Sequence, residues 1–452
     1  MTRGTHLAEG ARERLLSRVG SIQQAPRASS IEFPQPAVQP RKSRTDFASL
    51  PGYEELRVMR AVGGKFGVNS PYFRVHEGRA AAHTEIAGKQ FANFSSYDYL
   101  GLNGHPEVVE AAKVAIERYG VSASASRHVA GERPAHLSLE RALAEHYCVD
   151  DCVVMVSGYA TNLGVIGALV GAKDLLILDS LVHNSAVMGG VLSHAARRNF
   201  PHNDLCQLDE LLTSIRDRFE RVLIVVEGLY SMDGDYPDLP RLIDIKRRHD
   251  AWLMIDEAHA LGVLGPRGYG VAEHFGVDGR HVDIWMGTLS KTLAGCGGFI
   301  AGSAELVDYV KHLVGAFVYS VGMPPVIAAS AEKALEIMHR EPERVARLRR
   351  NGEYFRRLAT ERGLDTGNGA GTAVCPVVVG DSLVAMMLSQ RLLERGINVQ
   401  PVTHPAVPAK TSRLRFFLSA MHDERDIETA IDLTFEEVQR VRDELRAVKA
   451  LS

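Results

Sequence analysis

Short apolar runs alternate with amphipathic stretches through the middle of this chain, and this alternation limits the fold more than any other feature. Five runs are predicted to be buried strands, at residues 151–158, 174–180, 221–228, 251–259 and 282–291. Nearly continuous apolar sequence is typical of strands that are covered on both faces. Amphipathic helical stretches lie between most of them, among them 207–219 and 239–249. The pattern predicts an α/β fold with a mostly parallel sheet and helices on both sides.

Small, polar and ionisable residues follow the predicted strands at one end. SGYATN follows residues 151–156, SLVHNS follows 174–179, EGLYSMDG follows 221–226, DEAH follows 251–255 and GTLSK follows 282–286. In an open α/β sheet the ligand binds beyond the carboxyl ends of the strands. We therefore expect one site at this edge, with Lys291 of GTLSKTLAGCGG on its rim. The alternative for Lys291 is a surface lysine whose stem lies along the protein.

Length, charge and cysteine content narrow the functional classes. A chain of 452 residues exceeds one ordinary core, so we expect two domains. The 52 basic and 55 acidic residues give a net charge of −3, which argues against a nucleic-acid or membrane-surface partner. Five scattered cysteines favour reduced thiols. We expect a cytoplasmic protein with neither a membrane span nor a secretory signal.

Composition changes along the chain suggest a division into four parts. The parts are an N-terminal extension (1–45), an N-terminal segment (46–105), a large domain (106–330) and a small C-terminal α+β domain (331–452). The extension combines a helical pattern at 7–22 with a proline-rich linker, and we expect it to be flexible. A docking arm for a partner protein is the alternative. The last part is predicted to contain a strand at 414–420 and a closing helix at 423–446.

Two possible functions for the residues at the strand ends, an ATPase site and a metal site, do not account for all of the sequence. DEAH occurs in helicases as an ATPase element, but these proteins also need a glycine-rich GxxxxGK[ST] phosphate loop. SKT at 290–292 lacks the glycine frame of that loop. A metal site on Asp256, His259 and His183 is conceivable, yet it leaves Lys291 unexplained. We predict no metal.

Pyridoxal phosphate accounts for the same residues together. This cofactor needs a lysine amine for its Schiff base and an acid beside its pyridine nitrogen, which Lys291 and Asp256 provide. His259 can reach the phenolic oxygen, and His183 can lie against the ring. The phosphate needs backbone N–H groups at a helix start, which SGYATN supplies, and Thr288 adds a hydroxyl.

From about residue 90 to residue 425 the chain resembles the α-oxoamine synthases, a family of fold type I pyridoxal phosphate enzymes. Seven sequence blocks, in the same order as in the family, carry this resemblance. The blocks are NFSSYDYLGLNGHP, SGYATN, LDSLVHNSAVMGG, VVEGLYSMDGD, LMIDEAHALGVLGPRGYG, GTLSKTLAGCGG and RLRFFLSAMH. The resemblance implies an aspartate aminotransferase-like fold. It also implies a homodimer whose active sites are shared between the subunits.

The resemblance assigns a role to each matching residue. Lys291 would hold the cofactor and move the Cα proton, Asp256 would pair with the pyridine nitrogen, and His183 would stack on the ring. His259 and Ser231 would lie near the phenolic oxygen. The phosphate ligands implied are Ser157, Gly158, Tyr159, Thr288 and, across the dimer, Ser320. Val321 and Gly322 replace the family's polar pair beside Ser320, which weakens that last assignment.

The reaction implied is a decarboxylative Claisen-type condensation. An amino acid would attack an acyl thioester and give an α-amino ketone, carbon dioxide and free thiol. Arg415 would hold the amino acid's carboxylate. Tyr97 stands where several members have a substrate-binding asparagine, and it brings the chain nearer to the sphingoid-base members.

For the substrates we expect serine, alanine or glycine and a carrier-protein-bound or long-chain acyl group, with a coenzyme A ester as second choice. An acyl carrier protein is thus a candidate partner, and residues 1–45 are where it could dock. Two other classes stay open. The first is another pyridoxal phosphate enzyme of this fold, an aldolase or aminotransferase. The second is a non-catalytic partner subunit, which would have lost the lysine that this sequence keeps.

Overall fold

The computed structural model describes residues 45–65 and 70–450. Two compact units divide between Met59 and Arg60. Helix α1, Pro51–Lys65, begins before this division and ends after it. The predicted helix at 7–22 lies outside the described residues. No helix in the two described ranges combines the length and the apolar character that a bilayer crossing requires.

The remaining longer helices alternate with strands, as the sequence pattern predicts. They are α2 (Pro106–Tyr119), α3 (Pro134–Tyr147), α4 (Gly158–Leu169), α5 (Asn184–Leu192), α6 (Leu205–Ile215), α7 (Leu239–Arg248), α8 (Val271–Phe275), α9 (Ala304–Leu313), α10 (Gly315–Val318), α11 (Pro325–Arg340), α12 (Pro342–Glu361), α13 (Ser382–Glu394) and α14 (Glu424–Ala450). The closing helix predicted at 423–446 is α14 and is confirmed. Helix α11 runs across the predicted domain boundary at 330/331, which stays a prediction.

The strands of the described residues form three sheets. In chain order they are β1 (His83–Ile86), β2 (Lys89–Asn93), β3 (Asp151–Met155), β4 (Leu175–Asp179), β5 (Ala196–Phe200), β6 (Val222–Glu227), β7 (Trp252–Asp256), β8 (Ile284–Thr288), β9 (Gly298–Gly302), β10 (Val374–Gly380), β11 (Ile397–Asn398), β12 (Gln400–Val402) and β13 (Ser412–Phe417). The main sheet has the order β3-β9-β8-β7-β6-β4-β5, and the two smaller sheets have the orders β10-β13-β12 and β1-β2-β11.

The main sheet confirms the predicted mostly parallel arrangement. Strands β8, β7, β6, β4 and β5 pair in parallel, while β9 is antiparallel to both of its neighbours, β3 and β8. All five predicted strands are present, and each ends at least one residue before its predicted run does. Strands β5 and β9 were not predicted. Exposed arginines mark β5 as an edge strand, and glycines weaken the strand signal of β9.

Alternate residues of the main-sheet strands enter two different cores. Leu175 and Ile177 of β4 pack in one apolar cluster, and Leu176 and Leu178 pack in the other. This division follows from the two-residue period of a strand, whose successive side chains point to opposite faces. Both faces are therefore covered, and the loops at the carboxyl ends of the strands start from a fixed platform.

Candidate active site

A cavity of about 200 Å³ lies at the carboxyl edge of the main sheet, where the strand ends predicted a site. Nine predicted residues line it: Ser157, Gly158, Tyr159, His183, Ser231, Asp256, His259, Thr288 and Lys291. They come from the ends of β3, β4, β6, β7 and β8 and from the turns that follow these strands. The structure therefore brings the predicted constellation together, although residues far apart in sequence supply it.

The start of helix α4 provides a cradle of backbone groups. Ser157 caps this helix, and its side chain accepts a hydrogen bond from the Ala160 N–H at 3.3 Å. A Cβ added at Gly158 would come within 3.1 Å of Thr288 Oγ1, so a side chain here would crowd the threonine. Thr288 Oγ1 in turn donates to the Gly297 carbonyl at 2.8 Å. N–H groups at a helix start attract anions such as a phosphate.

His183 caps helix α5 at the mouth of the cavity. Its Nδ1 lies 2.7 Å from Ser185 Oγ, and the residue as a whole is exposed. Partial burial of the ring and the positive charges of Lys291 and Arg415 lower the pKa of His183, while Asp256 acts in the opposite direction. A neutral, exposed imidazole face is suited to stacking on an aromatic ring.

Asp256 ends strand β7 and is buried. Its Oδ1 accepts from the Ala258 N–H at 2.9 Å, and its Oδ2 accepts from Asn162 Nδ2 at 2.8 Å. Asn162 was not predicted, although it closes the quoted block SGYATN and lies on the inner side of helix α4. These two donors fix the carboxylate of Asp256 in one orientation.

Lys291 follows strand β8 and is half-buried. Loss of hydration lowers the pKa of its amine to about 8, even though the charges of Asp256 and Glu227 act in the opposite direction. Its loop is closed by hydrogen bonds from the Leu289 N–H to the Gly297 carbonyl and from the Gly295 N–H to the Leu289 carbonyl, at 2.9 and 2.8 Å. A far larger fraction of this amine is therefore neutral near physiological pH than in an ordinary lysine.

Glu227 is a second buried carboxyl group that the sequence did not single out. It ends β6 and is the register partner of Asp256 on β7. Its Oε2 accepts from the Ser231 N–H at 3.1 Å, whereas Oε1 is buried without a hydrogen-bond partner in the described structure. Burial and the neighbouring charge of Asp256 raise the pKa of Glu227 to about 8. Glu227 therefore holds a proton at neutral pH.

His259 is buried beneath the cavity, with its Nδ1 2.7 Å from the hydroxyl of Tyr99. Burial and the charges of Lys291, Arg415 and His183 hold the pKa of His259 well below its usual range. A hydroxyl that donates to Nδ1 leaves the ring proton on Nε2. Tyr99, within the quoted block NFSSYDYLGLNGHP, is a further residue that sequence reasoning missed.

Three predicted residues lie beside the cavity rather than in its lining. Arg415 donates from Nη1 to the Ser231 carbonyl at 2.9 Å, and its Nε is buried without a partner in the described structure. The ring centroid of Tyr97 lies 5.6 Å from Lys291 Nζ and 4.8 Å from the Phe417 ring. Ser320 donates to the Val321 carbonyl at 3.3 Å and stays a prediction for a contact across a dimer.

The geometry does not favour the metal alternative. Within residues 45–65 and 70–450, the ligand atoms of Asp256, His259 and His183 do not gather within 4.8 Å of one another. Each of the three side chains also has a hydrogen-bond partner of its own. By contrast, the donors and acceptors fit pyridoxal phosphate. They offer a neutral amine for the aldehyde, a fixed carboxylate for the pyridine nitrogen and a helix start for the phosphate.

The family model described as aminotransferase class I and II matches residues 89–433. The 8-amino-7-oxononanoate synthase of Geobacter sulfurreducens is 42% identical over 361 residues, covering 79% of this chain and 91% of that protein. The synthase of Symbiobacterium thermophilum is 40% identical over 346 residues, covering 76% and 88%. A serine palmitoyltransferase structure from S. paucimobilis, solved with bound pyridoxal phosphate, is 29% identical with a TM-score of 0.83, covering 88% and 99%.

Proposed function

Because this chain belongs to the class I and II aminotransferase family and, within it, to the α-oxoamine synthases, we propose that the residues around Lys291 bind pyridoxal phosphate and condense an amino acid with an acyl thioester. The protein is a pyridoxal phosphate-dependent acyltransferase of that family. The observation that carries the residue assignments is the cavity itself, which sets a lysine of lowered pKa beside a fixed aspartate and a helix start.

Bound pyridoxal phosphate supplies an electron-withdrawing ring that stabilises negative charge at the Cα of an attached amino acid. The Asp256 carboxylate, oriented by Asn162 and the Ala258 N–H, holds a proton at the pyridine nitrogen. Lys291 fixes the cofactor and, as a free amine, accepts the Cα proton because its pKa lies near 8. His259, whose Nδ1 lies 2.7 Å from the Tyr99 hydroxyl, would be held by that contact beside the phenolic oxygen of the bound cofactor.

A polar residue, Arg415, and an aromatic residue, Tyr97, lie where the amino acid substrate would bind. Arg415 has one buried nitrogen without a partner in the described structure, and a carboxylate would complete its hydrogen bonding. Tyr97 stands over Lys291 and packs against Phe417, so it restricts the space for the amino acid's side chain. We assign serine, alanine or glycine as the amino acid on this basis.

The acyl donor is the less constrained substrate. Tyr97 and the sequence blocks around the site favour a carrier-protein-bound or long-chain acyl thioester, with a coenzyme A ester as the second choice. A homodimer with shared sites is part of the proposal, since Ser320, the implied phosphate ligand from a second copy, lies outside the cavity of its own chain.

The experiment combines the purified, cofactor-loaded protein with serine, alanine or glycine and with one acyl chain presented on a carrier protein or on coenzyme A. We expect release of free thiol and carbon dioxide in equal amounts, together with the α-amino ketone, which mass spectrometry identifies. Formation of a 2-oxo acid without thiol release would contradict the proposal and favour an aminotransferase. Retro-aldol cleavage of a hydroxy amino acid without thiol release would favour an aldolase.

A further inference from the structure

The loop after strand β6, residues 228–236, links the main sheet to the sheet that carries Arg415. It closes on itself through hydrogen bonds from the Tyr230 N–H to the Asp235 carbonyl and from the Gly234 N–H to the Tyr230 carbonyl, at 2.8 and 2.9 Å. It also carries Ser231 into the cavity. The position of this loop therefore determines where Ser231 lies.

One side of this loop is bonded to the sheet of β10, β12 and β13. Arg413 Nη1 donates to Asp233 Oδ1 at 2.6 Å and to the Met232 carbonyl at 3.0 Å, and Arg415 Nη1 donates to the Ser231 carbonyl. Gly234 has φ +71° and lies so close to β10 that an added Cβ would come within 2.0 Å of the Val374 carbonyl oxygen. Any shift of the loop would thus be passed to the arginines of β13.

The other side of the loop faces the main sheet, where the Gly228 N–H donates to the Asp256 carbonyl at 2.8 Å and His202 links the far end of the loop to β4. His202 follows strand β5, and its Nδ1 lies 2.9 Å from Asp179 Oδ1 at the end of β4. Its Nε2 lies 2.8 Å from Asp235 Oδ2 at the end of the loop. Two carboxylates can both accept only if both ring nitrogens carry protons, so His202 is an imidazolium between two negative charges.

The surroundings of His202 reinforce this link. Asn203 donates to both carboxylates, from its N–H to Asp179 Oδ2 at 2.8 Å and from Nδ2 to Asp235 Oδ2 at 3.2 Å. The Tyr230 ring packs edge-on against the imidazole, with centroids 4.4 Å apart. Burial lowers the pKa of His202, but hydrogen bonds and charges from the two aspartates outweigh it and raise the pKa to about 10. The link is therefore charged throughout the physiological range.

We propose that His202 is a positioning residue of the active site, which holds the loop 228–236 against the main sheet through Asp179 and Asp235 and thereby sets the positions of Ser231 and Arg415. His202 does not line the cavity and acts only through the loop. The inference rests on the proposed function where it concerns Arg415 and the amino acid. The claim that His202 restrains the loop does not depend on the proposed function.

The test compares His202→Gln with a matched control, His249→Gln. His249 is equally buried, at 12% side-chain exposure against 13% for His202, and its Nε2 lies 2.7 Å from Asp209 Oδ1 between two helices on the main sheet. His202→Gln loses two aspartate–histidine contacts and His249→Gln loses one, and of the two histidines only His202 contacts the loop. Asp235→Ala, which removes the loop's side of the link and leaves Asp179–His202 intact, serves if His202→Gln does not fold.

Hydrogen–deuterium exchange of residues 228–236 is measured first, in the cofactor-free protein. We expect exchange to be about tenfold faster in His202→Gln and unchanged in His249→Gln. With the loaded enzyme, the KM for the amino acid should rise about 10–100-fold in His202→Gln, and kcat should change less, because a displaced Arg415 weakens substrate positioning. The KM should stay unchanged in His249→Gln.

Equal exchange of the loop in the His202 and His249 variants would overturn the inference, and so would faster exchange with an unaltered KM. If the wild-type protein formed no amino ketone, the proposed function would fail on its own, while the exchange comparison would still decide whether His202 restrains the loop.

Discussion

The two edges of the main sheet differ in a way that locates the chemistry. The carboxyl edge holds the small cavity of about 200 Å³ around Lys291, and the amino edge holds a larger one of about 760 Å³. In the larger cavity, Asp283 accepts from Lys246 at 2.7 Å and from the Leu253 N–H at 2.7 Å. At the carboxyl edge, Glu227 keeps an oxygen buried without a partner in the described structure.

The contrast shows that cavity size is a poor guide to function in this molecule. Burying a polar group without a hydrogen bond is costly, so such a group in the lining of a cavity marks a position where a ligand can complete its hydrogen bonding. The amino edge places charged groups in mutual pairs, which stabilise the fold. The carboxyl edge leaves acceptors and a neutral amine available, and these are what a cofactor and a substrate need.

The strongest test of this contrast removes one lysine from each edge. Lys291→Ala should lower the rate of thiol release by at least about 10²–10⁴-fold, because both the cofactor's attachment and the proton acceptor are lost. Lys246→Ala at the amino edge should keep the wild-type rate. Borohydride treatment followed by peptide mapping should label position 291 in the wild type. Label at another lysine, or comparable activity in the two variants, would refute the site assignment.

A second comparison exchanges one aspartate for asparagine at each edge. Asp256→Asn should lower kcat about 10²–10³-fold, since the charge that holds the pyridine proton is gone. Asp283→Asn should leave kcat unchanged but lower the free energy of unfolding by about 1 kcal/mol, because the mostly buried Lys246 loses its half-buried partner. Steady-state kinetics and urea denaturation measure the two effects. A large fall of kcat in Asp283→Asn would erase the distinction between the edges.

The smallest expected effect is a shift in a pH profile. Only a neutral amine attacks an aldehyde, so cofactor uptake by the cofactor-free protein should rise with pH around a midpoint near 8, below the usual lysine value of 10.5. Because the charge of Asp256 raises the pKa of Lys291, Asp256→Asn should move the midpoint lower. Asp283→Asn should leave it in place. Absorbance at several pH values measures the uptake, and a midpoint near 10.5 would show an ordinary, hydrated lysine.

The sequence was informative wherever a residue's chemistry follows directly from its place at a strand end. Lys291, Asp256 and His259 could be assigned in this way, because parallel strands bring their carboxyl ends to one edge. Asn162 and Tyr99 could not, since each acts on a side chain that is 94 or 160 positions away and that only folding brings near. Glu227 could not be assigned either, because it is one acidic residue at the end of an apolar strand. The sequence does not show that its register partner on the neighbouring strand is Asp256.

The antiparallel strand β9 has a consequence for how Lys291 moves. A crossover helix after β8 would have taken the chain away from the sheet. Instead, the chain returns as β9 directly beside β8, and the register pair Thr288–Gly298 closes the loop that contains Lys291. The main chain at position 291 is thus anchored from both directions. If Lys291 has the two roles proposed for it, rotations of its four-carbon stem would move the amine between them without any shift of the main chain.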